Sequence, residues 1–188
     1  MTAAAKKKEP RRRATVMNAE QLERALVRMA HEIIERSEGA TDLALIGMQT
    51  RGVHLAERLA SCIHTNTGKE VPVGVLDVTL YRDDFRDPEK SPEVRPSAIP
   101  FDVDGRLVVL VDDVVYTGRT VRAALDSLMD YGRPRAIQLA VLVDRGHRQL
   151  PIAPDYVGHS VVTLADEEIV VRVTEEDGED AVYLVDTQ

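Results

Sequence analysis

The feature that most constrains the fold is an unbroken apolar run, Leu107–Val111, that leads directly into two aspartates and a glycine-containing loop. Such a run is typical of a strand buried on both faces, which occurs in parallel sheets covered by helices. A helix is predicted to follow at Thr120–Tyr131, and further apolar strands are predicted at Leu43–Ile46 and Ile137–Val143. The alternation predicts an α/β fold class with a mostly parallel central sheet flanked by helices.

The remaining elements follow from caps and periodicity. Asn18 and Gln21 fit a capping box at the start of a helix. The apolar residues of that helix are spaced four, three and four apart and form one stripe: Leu22, Leu26, Met29 and Ile33. Further predicted elements are a helix at Val53–Ile63, a strand at Val71–Leu80, and β-rich segments at Glu168–Val173 and Ala181–Val185 that are joined by a turn at Asp177–Gly178.

Charge and composition limit the class of protein. The chain has 188 residues, a net charge of −8, 44% hydrophobic and 30% charged residues, which excludes a wholly disordered protein. No apolar run approaches the roughly 18 residues of a membrane span, and the single cysteine, Cys62, excludes an intrachain disulfide. We therefore expect a cytoplasmic protein.

Residues 1–13 carry six basic groups and one acid and are expected to form a disordered basic tail. Residues 82–100 contain four prolines and predict a flexible loop.

The residues that carry chemistry lie at the predicted carboxyl end of the central strand, where open α/β sheets bind ligands. The N-terminus of the following helix offers unpaired N–H groups to a phosphate, and Gly118 lets the backbone approach that anion. Asp112 and Asp113 would repel phosphate, but they suit sugar hydroxyls or hydrated Mg²⁺. The string therefore predicts a phosphorylated sugar as ligand. The plainer alternative is a solvated strand end with Thr117 as a helix cap.

The complete string resembles the phosphoribosyl pyrophosphate (PRPP) motif of the type I phosphoribosyltransferases. Gly47–Gly52 resembles their pyrophosphate loop, and Leu80–Asp84 resembles the start of their flexible lid. Leu142–Pro151 and the Ala30–Glu32 segment resemble one subfamily, the bifunctional pyrimidine operon attenuation regulators and uracil phosphoribosyltransferases. The resemblance implies one domain at residues 14–188 with the type I phosphoribosyltransferase fold and a small β-rich hood, mainly from residues 144–188.

The activity implied by the resemblance joins uracil to PRPP, giving UMP and pyrophosphate, by positioning and electrostatics. The implied substrate-binding residues are Thr50, Arg51, Arg82, Asp112, Asp113, Thr117, Gly118, Arg119, Thr120 and Arg145. Of these, Asp112, Asp113 and Arg51 are expected to be catalytic, and Asp112 and Asp113 to hold the Mg²⁺ cofactor. The loop up to Pro100 would close over the site and exclude water. No residue is singled out as a general base.

The resemblance also implies binding of an mRNA hairpin when UMP is bound. The expected contacts are Arg24, Arg28, His31, Arg36, His147 and Arg148. At 100° per residue, the first three form a basic face opposite the apolar stripe, which on its own also fits an ordinary solvated helix face. Ala153 stands where an arginine is usual and His159 where a lysine is usual, and such losses weaken binding to phosphates.

Alternative functions remain open on the sequence. The base could be another one, such as hypoxanthine, or the chain could be an RNA-binding regulator with a vestigial active site. The glycine spacing of Gly47 and Gly52 matches a Walker A loop, but Val53–His54 stands where Lys-Ser/Thr is required, which excludes an ATPase of that class. The resemblance implies a homodimer or homotetramer, and no membrane partner is expected.

Overall fold

The computed structural model describes residues 12–78 and 96–187. Their helices and strands are β1 Arg12–Met17, α1 Ala19–Arg36, β2 Leu43–Met48, α2 Arg51–Thr67, β3 Val73–Leu76, β4 Leu107–Val115, α3 Arg119–Leu128, β5 Ala136–Asp144, β6 Tyr156–Ser160, β7 Glu167–Arg172, α4 Thr174–Asp177 and β8 Ala181–Asp186. A five-stranded parallel sheet has the order β3-β2-β4-β5-β6, and an antiparallel sheet has the order β1-β8-β7. The predicted α/β fold class is confirmed.

Strand β4 is the centre of the parallel sheet and pairs with β2 and β5. Its alternate residues face two different cores. Val109 and Val111 pack with α1 and α2, whereas Val108 and Leu110 pack on the side of α3. Because helices cover both faces of the strand, its side chains are apolar on both faces. This explains the unbroken run of apolar residues in the sequence.

The first helix matches the sequence analysis closely. Asn18 Oδ1 accepts from Gln21 N at 2.9 Å, and Gln21 Oε1 accepts from Asn18 N at 2.9 Å, so the capping box is formed. All four residues of the predicted apolar stripe are buried. The helix therefore packs on α2 and on the parallel sheet through one face and exposes the other.

The boundaries of several elements differ from those predicted. Strand β4 extends beyond Val111 to Val115 because its pairing with β5 continues through the aspartates, with Asp112 opposite Val141. The predicted turn after β7 contains a short helix, α4, which ends at Gly178 in the left-handed conformation (φ 74°). Helix α2 begins at Arg51, and of the strand expected at Val71–Leu80 the structure forms β3, Val73–Leu76, while residues 79 and 80 lie outside the described residues.

Two strands of the small sheet, β7 and β8, were predicted, but its third strand, β1, and the edge strand β6 of the large sheet were not. Strand β1 begins at Arg12, so the last two residues assigned to the basic tail belong to the small sheet, where β1 pairs with β8. Strand β6 lies within the region assigned to the hood but pairs with β5 in the central sheet. Residues 1–11 of the predicted tail and residues 82–95 of the predicted loop lie outside the described residues. None of the described helices is long and apolar enough to cross a membrane.

The close approach of β5 and β6 generates a stability prediction. A Cβ at Gly158 would lie 2.5 Å from the backbone oxygen of Leu142, closer than real contacts allow. We expect Gly158→Ala to force the two strands apart and to lower the free energy of unfolding by about 1–3 kcal/mol, measured by urea denaturation. Ser160→Ala, at an exposed position of the same strand, is the control and should unfold near the wild-type midpoint. Equal midpoints for both variants would contradict the prediction.

Candidate active site

A cavity of about 520 Å³ lies at the carboxyl end of β4. Eight of the ten predicted substrate-binding residues line it: Arg51, Asp112, Asp113, Thr117, Gly118, Arg119, Thr120 and Arg145. Thr50 is the N-cap of α2 and is not part of the lining, although it precedes Arg51 directly. Arg82 lies outside the described residues. The structure therefore brings together most of a site that is scattered along the sequence.

The two aspartates are held in fixed orientations on the last part of β4. Asp112 Oδ1 accepts from Asp113 N at 2.9 Å, and Asp113 Oδ1 accepts from Val114 N at 2.8 Å. Burial raises the pKa of Asp113, and the hydrogen bond from Val114 and the positive charge of Arg51 oppose that rise. A carboxylate in such a place gains from any further positive charge that enters the cavity.

The phosphate-binding loop predicted from the sequence is the turn between β4 and α3. Gly118 is the N-cap of α3 and has a left-handed φ of 91°, which favours glycine because it has no Cβ. Arg122 N donates to Gly118 O at 2.9 Å, and this bond starts the helix at the loop. The N–H groups of the first turn, which have no partners within a helix, are thus presented at the cavity.

The segment after β5 supports this loop from behind. Gln149 N and Leu150 N donate to Thr117 O at 3.0 and 3.2 Å. Arg148 Nη1 donates to Tyr116 O at 2.9 Å. The segment that carries His147 and Arg148, which were predicted to contact RNA, is therefore bonded directly to the phosphate loop.

The predicted RNA contacts fall into two groups. Arg24, Arg28, His31 and Arg36 lie on α1. His147 and Arg148 lie in the loop after β5, where His147 Nε2 is 2.8 Å from Thr163 O and Arg148 forms an ion pair with Asp144 at 2.8 Å. Arg148 also donates to the carbonyls of Gly146 and Ile152 in its own segment and to that of Tyr116 after β4, so much of its hydrogen-bonding capacity is used within the protein.

The basic face of α1 is partly paired within the chain. Arg28 forms an ion pair with Glu32 at 2.7 Å and donates to the carbonyls of Val157 and Gly158. Arg24 pairs with Glu20 at 2.6 Å on the exposed surface. His159, which stands where a lysine is usual, borders the same surface depression as these two arginines. The two remaining basic residues of the helix also have partners, since His31 lies 3.0 Å from Asn66 Oδ1 and Arg36 donates to Asp155 O.

Tyr116 is a cavity residue that the sequence analysis missed. The guanidinium of Arg145 lies 3.9 Å from the centre of its ring, and the ring of His147 meets it edge-on at 5.9 Å. Arg145 is buried and donates to Thr163 Oγ1 and Glu167 O, which links the tyrosine to the start of β7 and the segment before it. In the sequence, Tyr116 lies between the acid pair and Thr117, and this position could have identified it as a cavity residue.

The turn between β2 and α2 explains the pair of glycines that resembles a Walker loop. A Cβ at Gly47 would lie 2.4 Å from Val53 Cα, and one at Gly52 would lie 2.4 Å from Val111 O. The two glycines therefore let the turn fold tightly on itself and against β4. This close packing brings Arg51 to the cavity, on the same side as Asp113.

A wall of the cavity comes from the small sheet. Strand β7 is at the edge of that sheet, and its residues 168–171 line the cavity. An edge strand presents unpaired backbone N–H and C=O groups, which can form hydrogen bonds with a flat ligand. Single-sequence analysis could not find these groups, because they belong to the backbone.

Helix α2 is joined to the region of α4 by three basic side chains that meet four acids. Arg51 donates to both oxygens of Asp177, at 2.8 and 3.0 Å. His54 Nε2 lies 3.0 Å from Glu176 Oε1. Arg58 donates to both oxygens of each of two acids, Glu175 and Asp180, at 2.6–2.9 Å. We call these pairs the α2–α4 clamp. They hold the small sheet to helix α2, beside the cavity.

Comparison with known proteins agrees with this geometry. A family model of the phosphoribosyl transferase domain matches residues 14–177. The bifunctional protein PyrR of Thermus aquaticus is 59% identical over 172 residues, covering 92% of this chain and 95% of that protein. PyrR of Pelotomaculum thermopropionicum is 56% identical over 177 residues, covering 94% and 98%. This chain belongs to the phosphoribosyltransferases, in the PyrR family.

Solved structures resemble the PyrR-family fold seen here at much lower identity. A hypoxanthine-guanine phosphoribosyltransferase from Bacillus anthracis gives a TM-score of 0.67 at 19% identity and covers 93% of this chain and 99% of its own. A hypoxanthine phosphoribosyltransferase of Trypanosoma cruzi gives 0.71 at 17% identity and covers 94% and 98%. At such identities the likeness establishes the type I phosphoribosyltransferase fold alone.

The α2–α4 clamp generates a pH-dependent stability prediction. The hydrogen bond from Arg58 lowers the pKa of Glu175; burial alone would raise the pKa of Asp180, but hydrogen bonds from Arg58 and Thr174 lower it overall. A carboxyl whose folded pKa is depressed stabilises the fold above its unfolded pKa of about 4, and this contribution is lost as the pH falls through the folded value.

We therefore expect Arg58→Gln to lower the free energy of unfolding by about 1–2 kcal/mol at pH 7, with a difference that shrinks below about pH 4. Denaturant unfolding at several pH values measures this. Arg24→Gln, which breaks an exposed pair with Glu20, is the control and should cost less than about 0.5 kcal/mol. A loss for Arg58→Gln that persists unchanged at low pH would show that the carboxylates are not its cause.

Proposed function

We propose that this protein is a uracil phosphoribosyltransferase that also regulates pyrimidine biosynthesis by UMP-dependent binding of an mRNA hairpin. In the reaction, N1 of uracil forms a bond to the anomeric carbon of PRPP, the bond to pyrophosphate breaks, and the N1 proton is lost. The observation that carries the proposal is one cavity that combines an acid pair, a phosphate loop and an arginine. The PyrR relatives, at 54–59% identity, support the pyrimidine branch of the family.

The residues act through position and charge. The 5-phosphate binds the N–H groups at the start of α3 and the hydroxyls of Thr117 and Thr120. Asp112 and Asp113 accept hydrogen bonds from the ribose hydroxyls. As pyrophosphate leaves, the ribose ring becomes cationic, and a carboxylate already fixed by backbone N–H groups stabilises that charge without reorganisation. Arg51 stabilises the growing negative charge of pyrophosphate, and the family resemblance assigns the same role to Arg82, which lies outside the described residues.

Magnesium is the cofactor that this donor set fits. Mg²⁺ is commonly held by one or two carboxylates together with waters and phosphate oxygens, and Asp112 and Asp113 supply two carboxylates at the cavity. Asp112 and Asp113 would hold such an ion, and it would supply charge neutralisation to the pyrophosphate.

Base choice is assigned to the hood. The edge of β7 and the stacked pair of Arg145 and Tyr116 line the same cavity as the phosphate loop. Backbone groups at an edge strand can pair with the alternating donors and acceptors of uracil. Hypoxanthine is the alternative base, because the solved structures that share this fold act on hypoxanthine or guanine.

Regulation through RNA is supported by two observations. The face of α1 carries Arg24 and Arg28 beside His159, which suits the phosphates of a folded RNA. The loop of His147 and Arg148 is hydrogen bonded to the phosphate loop, so a bound nucleotide phosphate can restrain it. We assign the protein to the cytoplasm, where mRNA and PRPP are present, as a homodimer or homotetramer.

A substrate assay tests the enzymatic part. Purified protein is incubated with PRPP and Mg²⁺ and either uracil or hypoxanthine, and nucleotide and pyrophosphate are measured. We expect UMP and pyrophosphate in equal amounts with uracil and little product with hypoxanthine. Preference for hypoxanthine would reassign the base. Nucleotide binding without turnover of either base would favour a regulator with a vestigial active site.

The acid pair generates a catalytic prediction. Asp113→Asn keeps the oxygen that accepts from Val114 N and removes the negative charge, so the fold should be preserved. We expect kcat/KM for PRPP to fall at least about tenfold, since about 1.4 kcal/mol of lost electrostatic stabilisation gives that factor. Initial rates of UMP formation measure it, and a thermal unfolding curve checks the fold. Unchanged kinetics would remove Asp113 from the mechanism.

The RNA surface generates a binding prediction. We expect Arg28→Ala to weaken binding of a labelled hairpin RNA from the leader of the pyrimidine biosynthesis genes, and to reduce the salt slope by about one, while catalysis is unchanged. Fluorescence polarisation with UMP, at several salt concentrations, gives both quantities. Arg122→Ala is the matched control, because Arg122 also pairs with an acid four residues later, on α3. An unchanged slope for Arg28→Ala would mean that this face is only solvated.

A further inference from the structure

Arg51, one of three arginines that line the cavity in the described part of the chain, is paired with a side chain outside the cavity lining. Its Nε donates to Asp177 Oδ2 at 3.0 Å and its Nη2 to Asp177 Oδ1 at 2.8 Å, a two-pronged ion pair on one side of the guanidinium. Among the described residues, no acceptor is bonded to its Nη1. The aspartate thus fixes the plane of the guanidinium and leaves one end of it for a ligand.

The aspartate is itself held rigidly. Asp177 Oδ2 also accepts from Val173 N at 3.0 Å, and its side chain is only 17% exposed. The hydrogen bond from Arg51 lowers the pKa of Asp177, so the carboxyl is ionised at neutral pH. The backbone between β7 and α4 therefore sets the position of this carboxylate, and the carboxylate in turn orients the guanidinium of Arg51.

The alternative partner for Arg51 is the acid pair. Asp113 and Arg51 line the same cavity, and the charge of each already shifts the pKa of the other. Without Asp177, the guanidinium would be drawn towards Asp112 and Asp113 and would occupy the space that the ribose needs. Asp177, which lies outside the cavity lining, competes for the guanidinium and so opposes this collapse.

We propose that Asp177 is a positioning residue for the phosphoribosyl transfer: it holds Arg51 aligned for the pyrophosphate group and away from the acid pair. The inference rests on the proposed function, because it assumes that Arg51 binds pyrophosphate. Preorganisation of a charged donor matters for affinity and rate because its ordering cost is met before substrate arrives. A purely structural role in the α2–α4 clamp would act on stability instead.

The chain provides a matched control for this distinction. Like Asp177, Asp180 accepts hydrogen bonds through both carboxylate oxygens from an arginine of α2, in this case Arg58. It likewise accepts one backbone hydrogen bond, from Thr174 N. Arg58 does not line the cavity. Asp177→Asn and Asp180→Asn each remove a two-pronged link from α2 to the α4 region, although Arg58 keeps its pair with Glu175, and only the first alters an arginine that lines the cavity.

The test compares both variants with the wild type by steady-state kinetics and by calorimetric binding of PRPP and inorganic pyrophosphate. For Asp177→Asn we expect KM for PRPP and Kd for pyrophosphate to rise about tenfold or more, by analogy with the loss of a partner that orients a binding group. The KM for uracil should stay within about twofold. Asp180→Asn should lose stability while PRPP and pyrophosphate bind as in the wild type. Asp177→Glu, which keeps the charge but shifts it by one methylene, should fall between the wild type and Asp177→Asn.

Three results would overturn the inference. Equal PRPP affinity in the Asp177→Asn and Asp180→Asn variants would reduce Asp177 to a structural link. Tighter PRPP binding in Asp177→Asn would mean that the aspartate withholds Arg51 from substrate. If Asp177→Asn fails to fold, normal PRPP and pyrophosphate affinity in a folded Asp177→Glu would contradict it. Failure of the proposed function is recognised separately, since wild-type protein would then make no UMP from uracil and PRPP.

Discussion

The pairing of β4 with β5 beyond the last residue of the apolar run is the constraint on which the site depends. The ladder continues from Val111 through the aspartates to Val115, opposite Asp144. Both acids therefore stand on a strand rather than on a loop, and their carboxylates are fixed by neighbouring backbone N–H groups. The same pairing brings the segment after β5 alongside the segment after β4. A phosphate loop and its support thus arise from one pair of parallel strands.

Ion pairs between helix α2 and the last part of the chain hold the small sheet beside the cavity. The acidic character of the last part of the chain has a structural use, because its carboxylates meet the basic residues of α2 in the α2–α4 clamp. A second set of pairs acts at the other end of the small sheet, where Arg13 of β1 meets Glu167 and Asp186. Each pair is modest by itself, but together they set the position of the edge strand β7 at the cavity. Net charge alone did not indicate this internal pairing.

Local patterns in the sequence were enough to predict much of the fold and part of the site. The capping box at Asn18, the apolar run of β4 and the loop at Gly118 depend on neighbours within a few residues, and all three are formed. Strands β1 and β6 were missed because their pairing partners are distant and their sequences are not strongly apolar. Asp177 was missed as a partner of Arg51 for the same reason, since 126 residues separate them. Residue types can indicate a chemistry, whereas long-range partners come only from the folded chain.

The support of the phosphate loop bears on how one protein can join catalysis to regulation. Thr117 O accepts two N–H groups from the segment after β5, and Tyr116 O accepts from Arg148. Under the proposed function, a phosphate bound to Thr117–Thr120 would restrain the backbone that carries these acceptors, and would therefore restrain the loop of His147 as well. If RNA binds this loop in its ordered form, nucleotide and RNA each favour the conformation that the other requires. By linkage, the factor by which UMP tightens RNA binding equals the factor by which RNA tightens UMP binding, so regulation needs no nucleotide site beyond the catalytic one.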